Sequence, residues 1–143
     1  EGWHNVCALR GDATRPPVEA ADAVVASFLV GMLDDPAGAV DRWLSLLDGE
    51  RSGRLALVDL ARTTRWPWRA TNPAFRALVA ASSPPGTRAR HGESPTRVLD
   101  RRVAAAHRRL RGRCSEVTYA TSALGFVRIS AGRAEDGTDV STR

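Results

Sequence analysis

Lysine is absent from this 143-residue chain, and so is glutamine; all 21 basic residues are arginine. Without lysine there is no Schiff-base chemistry, no pyridoxal phosphate anchor and no phosphate-loop lysine, so a large set of enzyme mechanisms drops out. Long apolar runs are missing too. No stretch reaches the roughly 18 residues needed to cross a bilayer, and the start lacks the basic-then-apolar order of a signal peptide. A soluble, cytoplasmic chain with no membrane partner is expected. Cysteine is scarce: Cys7 and Cys114 stand far apart in the chain, and two thiols in a reducing compartment are favoured over a disulfide. His4 and Cys7 supply two metal ligands where a closed zinc site needs about four, so no metal and no cofactor are expected.

What is present is apolar residue and charge. Hydrophobic residues make up 43% of the chain, enough for one compact domain or a small domain with a helical extension. The charge is divided unevenly. Residues 1–50 carry three arginines against nine carboxylates, net −6, while residues 51–143 carry eighteen against seven, net +11. Such asymmetry points to a nucleic-acid partner for the second part. Arg10-Gly11-Asp12 matches an integrin-recognition motif by letters alone, and a plain turn is the favoured reading.

In chain order, residues 1–16 read as an N-terminal segment. Pro17 to Leu33 reads as a helix opened by proline, with Val18, Ala21, Val25, Phe28, Leu29 and Met32 on one face. Asp35-Pro36 starts a second helix through Asp48, stopped at Gly49, with Val40, Trp43, Leu44 and Leu47 facing a core. Together residues 17–50 form an acidic helical hairpin suited to packing or dimerisation. Residues 53–63 fit neither period cleanly, and a short helix is favoured over a strand. Trp66 and Trp68 flank Pro67 and either anchor a loop to the core, the favoured reading, or stack on a base. Asn72-Pro73 opens a third helix with Phe75, Leu78 and Val79 on its stripe. A flexible connection follows, carrying Arg88, Arg90 and an exposed His91.

Ser94 to Gly112 is the strongest pattern. Ser94 and Pro95 signal a start and Gly112 a stop, and Leu99, Val103, Ala106 and Leu110 share a narrow apolar sector. Arg97, Arg101 and Arg108 lie opposite, with only Ala104 and Ala105 between them, so the helix backbone can come close to a polyanion. His107 flanks this stripe and is expected at the surface. Val117 to Thr121 and Phe126 to Ile129 read as two strands joined at Ser122 to Gly125, and residues 132–143 as a disordered tail.

This order of elements resembles the winged-helix DNA-binding effector domains of two-component response regulators, over residues 54–130. The resemblance rests on Arg97 and Asp100 around the apolar spacing of Leu99, Val103, Ala106 and Leu110, on the basic cluster Arg108, Arg109 and Arg111, on Leu124-Gly125-Phe126 closing a wing, and on Asn72 to Ala81 as second helix. Ser122 or Ala123 stands where such domains place a wing arginine. The resemblance implies a mainly α fold: a helical hairpin (17–50) followed by a basic winged-helix-like unit with a C-terminal β-hairpin (51–131). It implies a transcriptional regulator that inserts the helix into the major groove of double-stranded DNA. Arg97, Arg101 and Arg102 would face base edges or nearby phosphates, and Arg108, Arg109, Arg111 and Arg113 the backbone.

Two other classes stand beside it. One is a non-enzymatic helical module that binds a protein partner or forms a homodimer through residues 17–48. The other is a small α+β enzyme acting on an anionic substrate, for which His4, Cys7, His107, Cys114 and scattered aspartates show no motif spacing, so no catalytic residue is assigned.

Overall fold

A computed structural model describes residues 4–47, 53–82 and 94–134. It is built on a four-stranded sheet, not on helices alone. The strands are β1 (Ala23–Ser27), β2 (Arg54–Leu60), β3 (Cys114–Ser122) and β4 (Val127–Ala134), in the order β1-β2-β4-β3. β1 and β2 run parallel, and β4 is antiparallel to both β2 and β3. The helices are α1 (Pro36–Leu44), α2 (Asn72–Ser82) and α3 (Pro95–Arg113). The mainly α, winged-helix-like expectation is therefore corrected: in place of the helical hairpin expected over residues 17–50, Ala23–Ser27 is a strand followed by the helix Pro36–Leu44, and residues 53–63 hold a central strand.

The physical reason lies in which side chains the core accepts. β2 alternates, with Leu55, Leu57 and Asp59 turned inward and fully buried while Arg54 and Leu60 face out. The outward positions between them, Ala56 and Val58, are apolar as well, which hides the period-two pattern in the sequence. β1 pairs in register with this strand, Val24 with Leu55 and Ala26 with Leu57. The helical stripe expected for residues 17–33 fails against this pairing. Val25 and Met32 are each 70% exposed, whereas Ala26 and Val30 are buried. β-branched neighbours such as Val24 and Val25 lose χ1 freedom in a helix and fit a pleated surface better.

α1 forms as the cap-plus-proline signal dictates. The Asp35 carboxylate accepts a hydrogen bond from the Gly38 backbone N–H at 2.9 Å, and Pro36 fills the first helical position. A Cβ on Gly38 would collide with that carboxylate. Asp35→Ala should therefore cost about 1 kcal/mol, read as a shift in the urea midpoint at unchanged slope. α1 and α3 lie on one face of the sheet in a single core: Ala39, Val40, Trp43 and Leu44 from α1, Val103, Ala106 and Leu110 from α3, and Ala26, Leu55 and Leu57 from the strands. The Trp43 indole N–H donates to the Ala13 carbonyl at 2.8 Å, tying the N-terminal segment down.

The turn from β3 to β4 is tight. Ala123, Leu124 and Gly125 all have positive φ, at 46°, 59° and 91°, and a Cβ on Gly125 would meet the Thr63 side chain. No helix of the described residues is long and apolar enough to cross a membrane. The expected stop at Gly49, the connection of residues 83–93 with His91, and residues 135–143 of the expected tail lie outside the described residues.

Candidate functional site

Because β1 and β2 are parallel, both end at the same edge of the sheet, where α1 and α3 begin. In open α/β sheets, ligands sit in the crevice beyond the carboxyl ends of such strands. Here the chain leaves β1 through Phe28, at φ 54° and half exposed, whose backbone N–H donates to the Val58 carbonyl at 2.7 Å. Beyond β2 a hydrogen-bonded loop takes over. Thr63 and Asn72 bond each other reciprocally, through Thr63 N–H to Asn72 Oδ1 at 3.1 Å and Asn72 Nδ2 to the Thr63 carbonyl at 3.0 Å. The Thr63 hydroxyl donates to the Leu124 carbonyl at 2.9 Å, which fixes the β3–β4 turn against this loop.

Arg62 is the charged centre of the edge. Asp100, one turn into α3, accepts from the Arg62 backbone N–H at 3.1 Å and from its Nε. That grip uses the inner side of the guanidinium, and its two terminal nitrogens bond none of the described residues. Arg128 joins it by donating to the Arg62 carbonyl at 3.3 Å. Two tryptophans follow at once: Trp66 is 84% exposed and Trp68 41%. The expectation that they anchor the loop to the core is corrected, since Phe75 and Phe126 do that work with ring centroids 5.0 Å apart.

A second cluster lies under the sheet. His107 on α3 sits 3% exposed between Ser130 of β4 and Asp59 of β2, which are 0% and 1% exposed. Nδ1 is 2.7 Å from the Ser130 hydroxyl, and Nε2 is 3.5 Å from Asp59 Oδ2. The residue types are those of a hydrolytic triad, yet the serine is on Nδ1 and no member is open to a substrate. The cluster is structural. The surface position expected for His107 is thus corrected; it continues the Leu99–Val103 line by one further turn, and that spacing was a usable signal. Asp59 and Ser130 were missed because a buried polar residue inside a strand leaves no mark of its own.

Four of the seven arginines on α3 are engaged by the protein itself. Arg102 pairs with Asp34 at 2.5 Å. Arg109 binds Asp41 through two nitrogens at 2.8 Å, and Arg113 Nε lies 3.8 Å from the same carboxylate. Asp41 holds the Arg109 guanidinium charged, raising its pKa, chiefly through the hydrogen bond. Arg101 is also engaged. Arg97, Arg108 and Arg111 are exposed and have no partner among the described residues. The uneven charge along the chain is thus met within the fold, acidic α1 region against basic α3. No family model matches the chain, and no curated protein matches it. Among solved structures it is similar to an O-methyltransferase family protein from Burkholderia thailandensis, at 14% identity and a TM-score of 0.46, over 88% of this chain. It spans about a third (34%) of that protein's length. The winged-helix regulator reading, with a free recognition helix entering double-stranded DNA, is overturned: α3 is packed on a mixed sheet beside α1, and its row of guanidiniums is partly neutralised by Asp34 and Asp41.

Proposed function

We propose that the chain forms the substrate-holding edge of an α/β enzyme that acts on a small anionic substrate. One observation carries this reading: Arg62 is clamped by Asp100 through its backbone N–H and Nε where β1 and β2 both end, while its two terminal nitrogens hydrogen-bond none of the described residues. A clamped guanidinium recognises a carboxylate or phosphate without first losing much side-chain freedom. Trp66, Trp68 and Phe28 supply exposed flat faces at the same edge for the apolar part of the substrate.

The chemistry this edge supports is group transfer by apposition. Holding two reactants in line is itself a large part of catalysis. Of the groups suited to nucleophilic work, His107 is enclosed beneath the sheet, Cys114 is buried at the opposite edge, where β3 begins, and His4 and Cys7 are exposed on the N-terminal segment outside the sheet. A transferase fits these facts better than a hydrolase, and methyl, acyl and phosphoryl donors form the assay panel.

The test is tryptophan fluorescence with phenyl phosphate as probe. Saturable quenching is expected, lost in Trp66→Phe and Trp68→Phe together. Arg62→Gln should weaken binding about tenfold or more, since a hydrogen bond to a charged group contributes ~1.5–3 kcal/mol. Quenching that ignores Arg62→Gln in a protein of unchanged melting temperature would sink the assignment.

A further inference from the structure

The sheet face turned away from α1 and α3 carries a cavity of about 180 Å³. Its construction follows from register. Arg54 of β2 is paired with Arg133 of β4, so both guanidiniums stand side by side on this face. Across β4 the ladder slips between Ser115 and Thr118, and Glu116 and Val117 together oppose Gly132. Such a bulge re-aims a side chain. Val117 packs toward the core, where Gly132 leaves room for it and for Cys114. Glu116, at φ 47°, brings its carboxylate to the two arginines: Oε2 is 3.3 Å from Arg133 Nη2 and 4.0 Å from Arg54 Nη2.

Two cations face one anion, leaving one positive charge in excess. The Arg133 Nε is buried without a hydrogen-bond partner among the described residues, a donor that a native structure ordinarily satisfies. Beside it Val25, Ala56 and Ala131 line the cavity with apolar surface, and Val25 is 70% exposed. We propose that this cavity binds a small aliphatic carboxylate. The carboxylate is received by the Arg133 and Arg54 guanidiniums, which both line the cavity, and the short alkyl group covers Val25, Ala56 and Ala131. A single excess charge suits a monoanion, and planar guanidinium donors match the two oxygens of a carboxylate. This site is separate from the carboxyl edge and does not depend on it.

The probe is isovalerate, titrated into the whole chain and followed by amide NMR shifts. Saturable shifts are expected at Ala56, Thr118 and Ala131, with none from the neutral isostere isovaleramide. Arg133→Gln and Arg54→Gln should each raise the Kd at least tenfold while the fold stays intact by its dispersed spectrum. Glu116→Gln removes the competing internal carboxylate, so binding should tighten several-fold, an outcome that a merely structural ion pair does not give. Equal binding of isovaleramide overturns the proposal. So do shifts confined to the surroundings of Arg62, or Val25 signals that follow protein concentration in place of isovalerate, which would mean that a second copy covers this face.

Discussion

His107→Leu is expected to destabilise the protein by about 3 kcal/mol, a large share of the stability of a domain this size. The substitution is close in volume, so the loss is not chiefly a cavity. It comes from polar groups left behind: the Ser130 hydroxyl loses its 2.7 Å partner, and the Asp59 carboxyl, 1% exposed, loses the imidazole whose Nε2 lies 3.5 Å from Oδ2, a polar contact that is not a hydrogen bond. Each buried group so stranded costs ~1–3 kcal/mol. Removing both members of the Asp59–His107 pair should cost much less than the sum of the single changes, because an apolar replacement of a buried polar pair is often near neutral. A double-mutant cycle with Asp59→Leu, read by urea unfolding, measures this coupling. Additive losses would mean that Asp59 and His107 are buried independently, each satisfied by something other than its neighbour.

The same cluster shows where the sequence could be read and where it could not. α1 and α3 were legible because their opening prolines and apolar spacing are local, and the structure places α1 at Pro36–Leu44 and α3 at Pro95–Arg113; Asp35 caps α1 as expected, whereas Ser94 makes no side-chain cap bond and the expected stop, Gly112, lies inside α3. The C-terminal pair of strands was legible from its β-branched and aromatic residues. The sheet they join was not. A parallel pair such as β1 and β2 has no hairpin turn to announce it, only a crossover through α1, and its strands are apolar on both sides. Alanine-rich AVVAS then reads as helix, and LALVDL as either. With edge strand β1 and central strand β2 both misread, the sheet beneath the basic helix went unseen, and the helix was cast as a recognition helix.

Charge misled for a related reason. A net −6 in one part and +11 in the other describes two surfaces without saying which surface each meets. Asp34 at the start of α1 and Asp41 in its middle meet Arg102, Arg109 and Arg113 across the α1–α3 contact. Separation along the chain became adjacency in space. Of the candidate site, Arg62 was invisible because its importance comes from Asp100, 38 residues away in sequence, and from the edge on which both strands end. The exposed tryptophans were seen, but their Trp66-Pro67 setting suggested anchoring when the aromatic anchor is the Phe75–Phe126 pair.

The strand assignment itself makes the second large prediction. Leu57 is fully buried at the middle of β2, among Ala26, Leu110 and their neighbours in the core, so Leu57→Ala should cost about 3 kcal/mol, within the ~2–5 kcal/mol range for such truncations. For a chain of this length that corresponds to a drop in melting temperature on the order of 10 °C. Val25→Ala, by contrast, trims a side chain 70% exposed and should change stability by no more than about 0.5 kcal/mol. A helix over residues 17–33 makes the opposite prediction for Val25, which it places on the buried stripe beside Ala21 and Leu29. Paired thermal and urea unfolding of the two variants therefore separates the architectures directly. A loss at Val25 as large as that at Leu57 would remove β1 from the sheet, and with it the shared edge on which Arg62, Phe28 and the two exposed tryptophans stand.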